Sequence, residues 1–266
     1  MIQIKREFPR IVCLSHDSVD MLIQLGAHKM VVGRPAGEKR TEVAHADSVG
    51  GYGSIRTDKV RALKPDVVIA YETFQQRQTA PLVDAGLNVL TLGHRCFEEI
   101  FNSMRLLGVI TDTGIQAQRV IGEIEARIAF FEQRNAQKQR TRVYFEEWDD
   151  PMVVAPRWVS EIIHLAGGID VFARVSQNTE FEKRAIQVSD LIEKDPEVIV
   201  ASWCGKPVKK TAITERPGID KVDAVKNNRI FEVPGNQFLQ PGPAILNGVD
   251  ALYNLLHPDN QVSQHD

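Results

Sequence analysis

Polar and aromatic side chains follow four short apolar runs of this chain, at the points where those runs end. They stand at Ser15–Asp17, Tyr71–Glu72, Glu147–Asp150 and Ser202–Gly205. The preceding Val/Ile-rich runs are typical of buried parallel strands. Because ligands of open α/β sheets bind at the carboxyl ends of the strands, these residues are candidates for contact with a small molecule.

Aromatic rings among these positions indicate what kind of molecule that is. Trp148 and Trp203 follow strands in the second half of the chain, and Tyr52 and Tyr71 are their counterparts in the first half. Each ring buries roughly 150–250 Å² with little loss of rotamer freedom, which suits a large, flat or partly apolar ligand. A lone tryptophan more often packs in a core, but the matched strand-end positions of these two favour ligand contact. Trp158 begins a helix, and its position fits either role.

Three further side chains complete the candidate set. His16 could ligate a metal carried by the ligand, hydrogen-bond the ligand, or satisfy the backbone at a helix start. Glu72 offers a polar contact. Cys204 is interpreted as a small pocket-lining residue, because the sequence places no histidine beside it as a base. The acidic run from Glu146 to Asp150 is interpreted as a solvated strand exit.

Templates of common enzymes are missing from the sequence. It has no GxSxG elbow, no P-loop and no GxGxxG after a strand, and its seven histidines lack HxxxH or HExxH spacing. Gly50–Gly53 reads as a tight loop and matches no phosphate-binding fingerprint. We therefore expect a binding protein with no catalytic residues, no metal centre of its own and no cofactor besides its ligand.

Composition narrows the class of partners. A formal net charge of -3 over 266 residues provides no electrostatic footprint for nucleic acid, and no apolar stretch is long enough for a membrane span. The three cysteines, Cys13, Cys96 and Cys204, are widely spaced and form neither a disulfide framework nor a zinc motif. The first residues show no secretory leader. The expectation is therefore a protein that works in the cytoplasm, or one whose leader has been trimmed. We also expect a monomer.

The sequence also repeats its own pattern. RALKPDVVIAY at 61–71 and EKDPEVIVASW at 193–203 both read as a helix end, a proline corner and a buried strand. Strand and helix patterns precede and follow each block in the same order. The repeat predicts two similar α/β lobes, each with a mostly parallel sheet.

A long helix is predicted between the two copies. Gly114–Asn135 lacks proline, is rich in helix formers and carries one apolar stripe. The predicted organisation is an N-terminal lobe at 1–110, a connecting segment at 111–138 and a C-terminal lobe at 139–266. The alternative is a surface helix of one large domain, which we consider less favoured because single cores seldom grow to this size.

Five blocks carry a family resemblance, namely TDKVRALKPDVVIAY, EEWDDPMVVAPRWVSEIIHLAGG, DPEVIVASWCG, RPGIDKVDAVKNNRIFEV and QPGPAILNGVDAL. From about Arg10 to His257 the chain resembles the vitamin B12 and iron-siderophore substrate-binding proteins of ABC importers. The resemblance implies two α/β lobes joined by one long helix, and a small molecule held in the cleft between them. It also implies a ring-stacking role for Tyr52.

The resemblance further implies one acidic residue in each lobe that pairs with arginines of the membrane permease. Asp58, seven residues before Pro65, fits the first of these positions. The same count in the second half gives Ser189, with Asp190 and Glu193 as acidic neighbours.

The leading hypothesis is that the protein binds a corrinoid. It would do so as the substrate-binding component of an ABC importer, in the periplasm or at the cell surface. Two alternatives keep the fold. One is a ferric siderophore or haem, where an anionic siderophore would use Arg34, Arg95 and Arg157. The other is a cytoplasmic corrinoid carrier or sensor.

Overall fold

The computed structural model of the chain describes residues 9–51 and 53–260, with the side chains of 72–77 and 260 outside the description. The chain forms two compact units, Met1–Ile124 and Glu125–Asp266. The boundary between them falls inside one 22-residue helix, which begins in unit 1 and ends in unit 2. Among the described residues, none of the helices combines the length and the apolar character that crossing a membrane requires.

Unit 1 alternates strands and helices. Its elements are β1 (Ile11–Cys13), α1 (His16–Gln24), β2 (Val31–Arg34), β3 (Asp47–Ser48), β4 (Gly50–Gly51), β5 (Ser54–Ile55), α2 (Thr57–Ala62), β6 (Val67–Tyr71), α3 (Glu72–Asp84), β7 (Val89–Leu92) and α4 (Phe97–Ile110), with short 3₁₀ turns at His28–Met30 and Thr41–Val43.

The main sheet of unit 1 is parallel, with strand order β3-β2-β1-β6-β7. β1 and β6 lie at its centre, and their short apolar runs are buried, as expected of parallel strands covered on both faces. Val12, Val68 and Val60 of α2 belong to the core cluster of this unit. The parallel arrangement brings the carboxyl ends of β1, β6 and β7 to one edge. β4 and β5 form a separate two-stranded antiparallel pair around the predicted glycine loop.

Helix α5 (Gly114–Asn135) has the bounds that its apolar stripe predicts. Its first half is tied to unit 1 by Gln116, whose side-chain amide donates to the Gln24 carbonyl at 3.1 Å. Its second half is tied to unit 2, where Arg127 pairs with Asp250 at 2.8 Å. Each half of the helix is therefore part of its own unit.

Unit 2 repeats the alternation of strands and helices. Its elements are β8 (Thr141–Asp149), β9 (Met152–Val154), α6 (Arg157–Leu165), β10 (Gly168–Asp170), α7 (Val188–Lys194), β11 (Val198–Ala201), α8 (Lys210–Thr214), α9 (Asp223–Lys226), β12 (Ile230–Glu232), α10 (Gly235–Phe238) and α11 (Ile245–Leu256), with short 3₁₀ turns at Val175–Gln177, Glu182–Arg184, Ile219–Lys221 and Pro258–Asn260.

The sheet of unit 2 has the parallel order β10-β8-β11-β12, and β9 pairs antiparallel with the far end of β8. This hairpin extends β8 to Asp149, past the end of its neighbour β11. Glu147, Trp148 and Asp149 were predicted to follow the strand, and they instead lie within it. The core cluster of unit 2 contains Tyr144, Ile199 and Trp203.

The two units share the same corner before their central strands. Lys64 and Asp195 both adopt a left-handed backbone directly before a proline, with φ of 46° and 41°. In unit 1 the Arg10 amide donates to the Asp66 carboxylate at 2.7 Å. In unit 2 the Arg142 amide donates to Glu197 at 2.8 Å. The predicted fold class, α/β with two mostly parallel sheets, is confirmed, and the sequence repeat corresponds to a repeat of structure.

Gly167 provides a test of the turn that ends α6. It has φ of +86°, and a Cβ at this position would lie 2.7 Å from His257 Nε2 and 3.0 Å from Asn135 Oδ1. Gly167→Ala is expected to lower the free energy of unfolding by about 1–3 kcal/mol, because a left-handed backbone and the crowding both oppose a side chain. Denaturant titration would measure this change.

The matched control is Gly122→Ala in the interior of α5, where a new Cβ meets nothing within 4 Å. Alanine is favoured over glycine inside a helix, so this variant is expected to gain about 0.5–1 kcal/mol. A Gly167→Ala protein as stable as the wild type would contradict the description of this turn.

Candidate ligand-binding site

At the carboxyl edge of the sheet in unit 1, Glu38 is surrounded by donors. Its carboxylate is 2.9 Å from Nδ1 of His16, the first residue of α1, and accepts the backbone amides of Lys39 and Arg40 at 3.0 Å each. Burial favours the neutral acid, but the His16 contact, the Arg40 amide and the Arg40 charge hold the pKa of Glu38 below its ordinary value. His16 is thus oriented by Glu38, and its side chain is 29% exposed.

Tyr71, His94 and Asp17 converge at the same edge, from the ends of β6, β7 and β1. The rings of Tyr71 and His94 stack with centroids 5.4 Å apart. Asp17 Oδ2 lies 2.6 Å from His94 Nδ1, an ion-pair approach that lacks the alignment of a good hydrogen bond. Burial opposes the charge of Asp17, yet the His94 contact keeps the pKa of this carboxyl low. Tyr71 is 6% exposed and His94 only 1%, so both rings are buried beneath the surface at this edge of the sheet.

Two predicted contacts of unit 1 have side chains that the structure does not describe. Tyr52 lies wholly outside the described residues. Glu72 begins α3, but its side chain is not among those described.

The three arginines proposed for an anionic ligand all have partners within the protein. Arg34 donates to the carbonyls of Glu38 and Ala46 at 2.7 and 3.0 Å. Arg95 pairs with Glu99 at 2.6 Å, and Arg157 pairs with Glu161 at 3.3 Å. Each guanidinium therefore has some of its N–H donors engaged within the protein.

The most deeply buried charge among the described residues of unit 2 is Glu146, which lies on β8 opposite Ala201, the last residue of β11. Its side chain is 0% exposed and forms a two-point contact with Arg216, at 2.5 and 3.0 Å. The Tyr144 hydroxyl donates to it at 2.9 Å and the Trp203 indole N–H at 3.0 Å. Burial, together with the neighbouring negative charge of Glu146, raises the pKa of Tyr144 well above its ordinary value, so the hydroxyl keeps its proton. All of these polar groups are satisfied by one another.

The next residue along β8, Glu147, is also paired, with the buried guanidinium of Arg184. Burial raises the pKa of Glu147, although Arg184 counteracts this. Arg184 also donates to the Val154 carbonyl at 2.6 Å. The interpretation of the Glu146–Asp150 run as a solvated strand exit is therefore wrong for its first two residues, which need buried arginines as partners.

The three tryptophans occupy different environments. Trp148 is half-buried against the core of unit 2, and its N–H donates to the Asp150 carbonyl at 2.9 Å. Trp203 is only 4% exposed and belongs to the core, where its N–H is bound to Glu146. Trp158 is 8% exposed and donates to the Phe238 carbonyl at 2.8 Å. Trp158 and Trp203 are core residues in this structure, and Trp148 is the tryptophan that retains exposed ring surface.

Cys204 lies on the loop after β11 and is exposed, with a free thiol. The thiol itself is partly covered, and this partial burial, together with the nearby Glu147 charge, raises the pKa of Cys204 above its ordinary value. A raised pKa leaves little thiolate at neutral pH, so this residue is poorly suited to act as a nucleophile.

The predicted docking carboxylates lie on short helices that precede β6 and β11. Asp58, in the first turn of α2, is 67% exposed and pairs with Arg56 at 2.9 Å. In α7 the Asp190 carboxylate accepts the Gln187 amide at 2.8 Å and so caps its own helix. Glu193 is exposed one turn further along.

Sequence reasoning missed four residues that shape these edges, namely Glu38, His94, Arg184 and Arg216. His94 could have been found, because it follows the NVLTL strand pattern as Asp17 and Tyr71 follow theirs. Arg184 and Arg216 stand in irregular segments 37 and 70 residues from the carboxylates that they bind. No local pattern connects residues at such distances.

The described part of the chain contains no group of three or more His, Cys, Asp or Glu side chains able to hold a metal ion. At the edges of the two sheets, charged groups are paired with each other, and ring surfaces lie beside them. This arrangement suits contact with a ligand's faces and hydrogen-bonding groups.

The chain is similar to known proteins over most of its length. Residues 11–236 match the family model described as periplasmic binding protein. The chain is 25% identical over 275 residues to an uncharacterized ABC transporter substrate-binding lipoprotein, YvrC, of Bacillus subtilis, covering 97% of this chain and 83% of the relative. It is 21% identical to a vitamin B12-binding protein of Vibrio cholerae, covering 94% and 91%.

A similar fold has been solved in the S. aureus protein IsdE, in complex with haem. The TM-score is 0.80 at 19% identity, and the match covers 94% of this chain and 99% of that one. At this identity, the likeness establishes the fold alone.

The Glu146–Arg216 pair generates a stability prediction. Arg216→Met should lower the free energy of unfolding of unit 2 by about 3–5 kcal/mol, because it leaves the Glu146 carboxylate buried without its counter-charge. The tryptophans at 148, 158 and 203 all lie in unit 2, so their fluorescence during denaturant titration reports on this unit.

Arg119→Met is the matched control, since Arg119 forms an exposed pair with Glu123 and its side chain is 59% exposed. It should cost less than about 1 kcal/mol. Equal effects of the two substitutions would show that the buried network does not stabilise unit 2.

Proposed function

The chain belongs to the periplasmic binding protein family, the substrate-binding proteins of ABC importers, and from that premise we propose that its ligand is a corrinoid. The observation that carries the proposal is the half-buried ring of Trp148 at the carboxyl edge of unit 2, beside paired polar groups. A corrinoid is a wide, flat macrocycle with amide groups around its rim. Such a molecule needs an aromatic face for the ring and polar groups for the rim.

Each unit is proposed to contribute contacts from the carboxyl edge of its own sheet. In unit 1 these are Tyr52, Tyr71, Glu72 and His16. Because Glu38 engages Nδ1 of His16, the other ring nitrogen, Nε2, is the one available to hydrogen-bond the ligand or approach its cobalt.

In unit 2 the proposed contacts are Trp148 and Cys204. Trp203 and the Glu146 network hold the strand ends in place beneath Trp148. Their role is to position that ring rather than to touch the ligand.

Absorbance and calorimetric titration of the purified protein with cyanocobalamin and aquocobalamin tests the proposal. One-to-one binding with a Kd in the micromolar range or tighter, about -8 kcal/mol, is expected. Trp148→Ala should weaken binding by roughly tenfold, since an aromatic contact of this kind is worth about 1–2 kcal/mol.

The control variant is Ile115→Ala, which removes a side chain that is 91% exposed on α5. It should leave the Kd unchanged. Failure of both cobalamins to bind, or equal affinities for wild type and Trp148→Ala, would contradict the corrinoid assignment.

Haem is the second candidate, and one observation favours it. Tyr71 and His94 place a phenol and an imidazole together at one sheet edge, and both groups are suitable ligands of haem iron. Haemin therefore belongs in the same titration series, and tighter binding of haemin than of cobalamin would decide for it. An anionic siderophore has less support, because the three arginines that it would use are engaged elsewhere.

We further propose that Asp58 and Glu193 dock the protein onto its permease. Both side chains are exposed and lie on helices in equivalent places of the repeat. Asp190 is less suited, because its carboxylate already caps α7.

Asp58→Ala combined with Glu193→Ala should reduce ligand-stimulated ATP hydrolysis by the reconstituted permease at least about tenfold, because losing two interfacial charge pairs costs a few kcal/mol. The Kd for the ligand should not change. Glu123→Ala, which removes another exposed carboxylate, is the control. Undiminished stimulation by the double variant would exclude these residues as the docking pair.

A further inference from the structure

Lys206 contacts both aromatic rings at the edge of unit 2. Its ammonium nitrogen lies 4.2 Å from the centroid of the Trp148 ring and 5.0 Å from that of Trp203. Both distances are within the range of a cation–π interaction. The same nitrogen is 2.5 Å from Asp149 Oδ1. The ammonium is therefore held by two rings and a carboxylate, while the side chain as a whole stays 39% exposed.

The three partners of Lys206 are fixed more firmly than Lys206 itself. Trp148 and Asp149 belong to β8, and the Trp148 N–H is bound to a backbone carbonyl. Trp203 is anchored in the core by Glu146. Lys206 lies on the irregular loop between β11 and α8, and a lysine side chain has several rotatable bonds. Of these four groups, Lys206 is the one that can move away at least cost.

A ligand ring that stacks on Trp148 needs surface that the ammonium already covers. We infer that Lys206 is an internal competitor for the Trp148 ring and thereby a determinant of ligand affinity, an inference that rests on the proposed function. A ligand binds here only if its contact with Trp148 outweighs the loss of the ammonium–ring and ammonium–carboxylate contacts. This requirement favours large ring systems over small aromatic molecules.

The first test measures ring coverage without any ligand. Acrylamide quenches tryptophan fluorescence by direct contact, and Trp148 is the described tryptophan with appreciable exposure. Lys206→Ala should increase the quenching constant by about two-fold or more. Adding Trp148→Phe to this variant should abolish the increase. Lys209→Ala, at an exposed lysine three residues along the chain, should leave quenching unchanged.

The second test measures competition. Lys206→Ala should bind cyanocobalamin about 3- to 30-fold more tightly than wild type does, or haemin if that is the ligand. This range is the gain in affinity expected when the ligand no longer has to displace a cation–π contact. Lys206→Arg, which keeps a cation over the rings, should stay within about three-fold of wild type. In a Trp148→Ala background the Lys206→Ala gain should disappear.

The results separate this inference from the proposed function. If no variant binds a corrinoid or haemin, the proposed function fails, and the quenching experiment alone decides whether Lys206 covers Trp148. If ligands bind but Lys206→Ala neither increases quenching nor tightens binding, the competitor role is overturned and the proposed function stands. Increased quenching without tighter binding also overturns the competitor role.

Discussion

A carboxylate with no exposed surface must have partners if it is to remain charged, and Glu146 imposes that constraint on unit 2. Its partners come from its own strand, from the loop after β11 and from the segment after α8, as Tyr144, Trp203 and Arg216. These contacts tie three separate parts of the unit to one strand end. They draw Trp203 into the core, and Trp148, farther along β8, remains at the surface.

The two units share the same backbone corner before their central strands. Each has a left-handed residue before a proline, an acidic residue after it, and a backbone amide from the start of a neighbouring strand bound to that acid. This corner sets the register of the central strands, so the residues after those strands reach one edge. The side chains at the two edges differ. Unit 1 has histidine and tyrosine at its edge, and unit 2 has buried acid–arginine pairs.

Much of the fold can be predicted from the sequence, because hydrophobic periodicity and proline corners are local signals. The bounds of α5 and the central strands of both sheets follow from them. The sheet strands β2, β3, β9 and β10 were missed, because runs of two to four residues are too short to show a period. The candidate site was less predictable. Burial of Glu146 and Glu147 depends on arginines 70 and 37 residues away, and Trp148 and Trp203 look alike until the core is assembled.

A crystal structure of the protein grown with cyanocobalamin would show where the ligand lies. We expect a corrin ring stacked on Trp148, with the Lys206 ammonium withdrawn from that ring and the Glu146–Arg216 pair unchanged. A corrin bound elsewhere, with Lys206 still covering Trp148, would contradict the assignment of this edge as the ligand-binding surface.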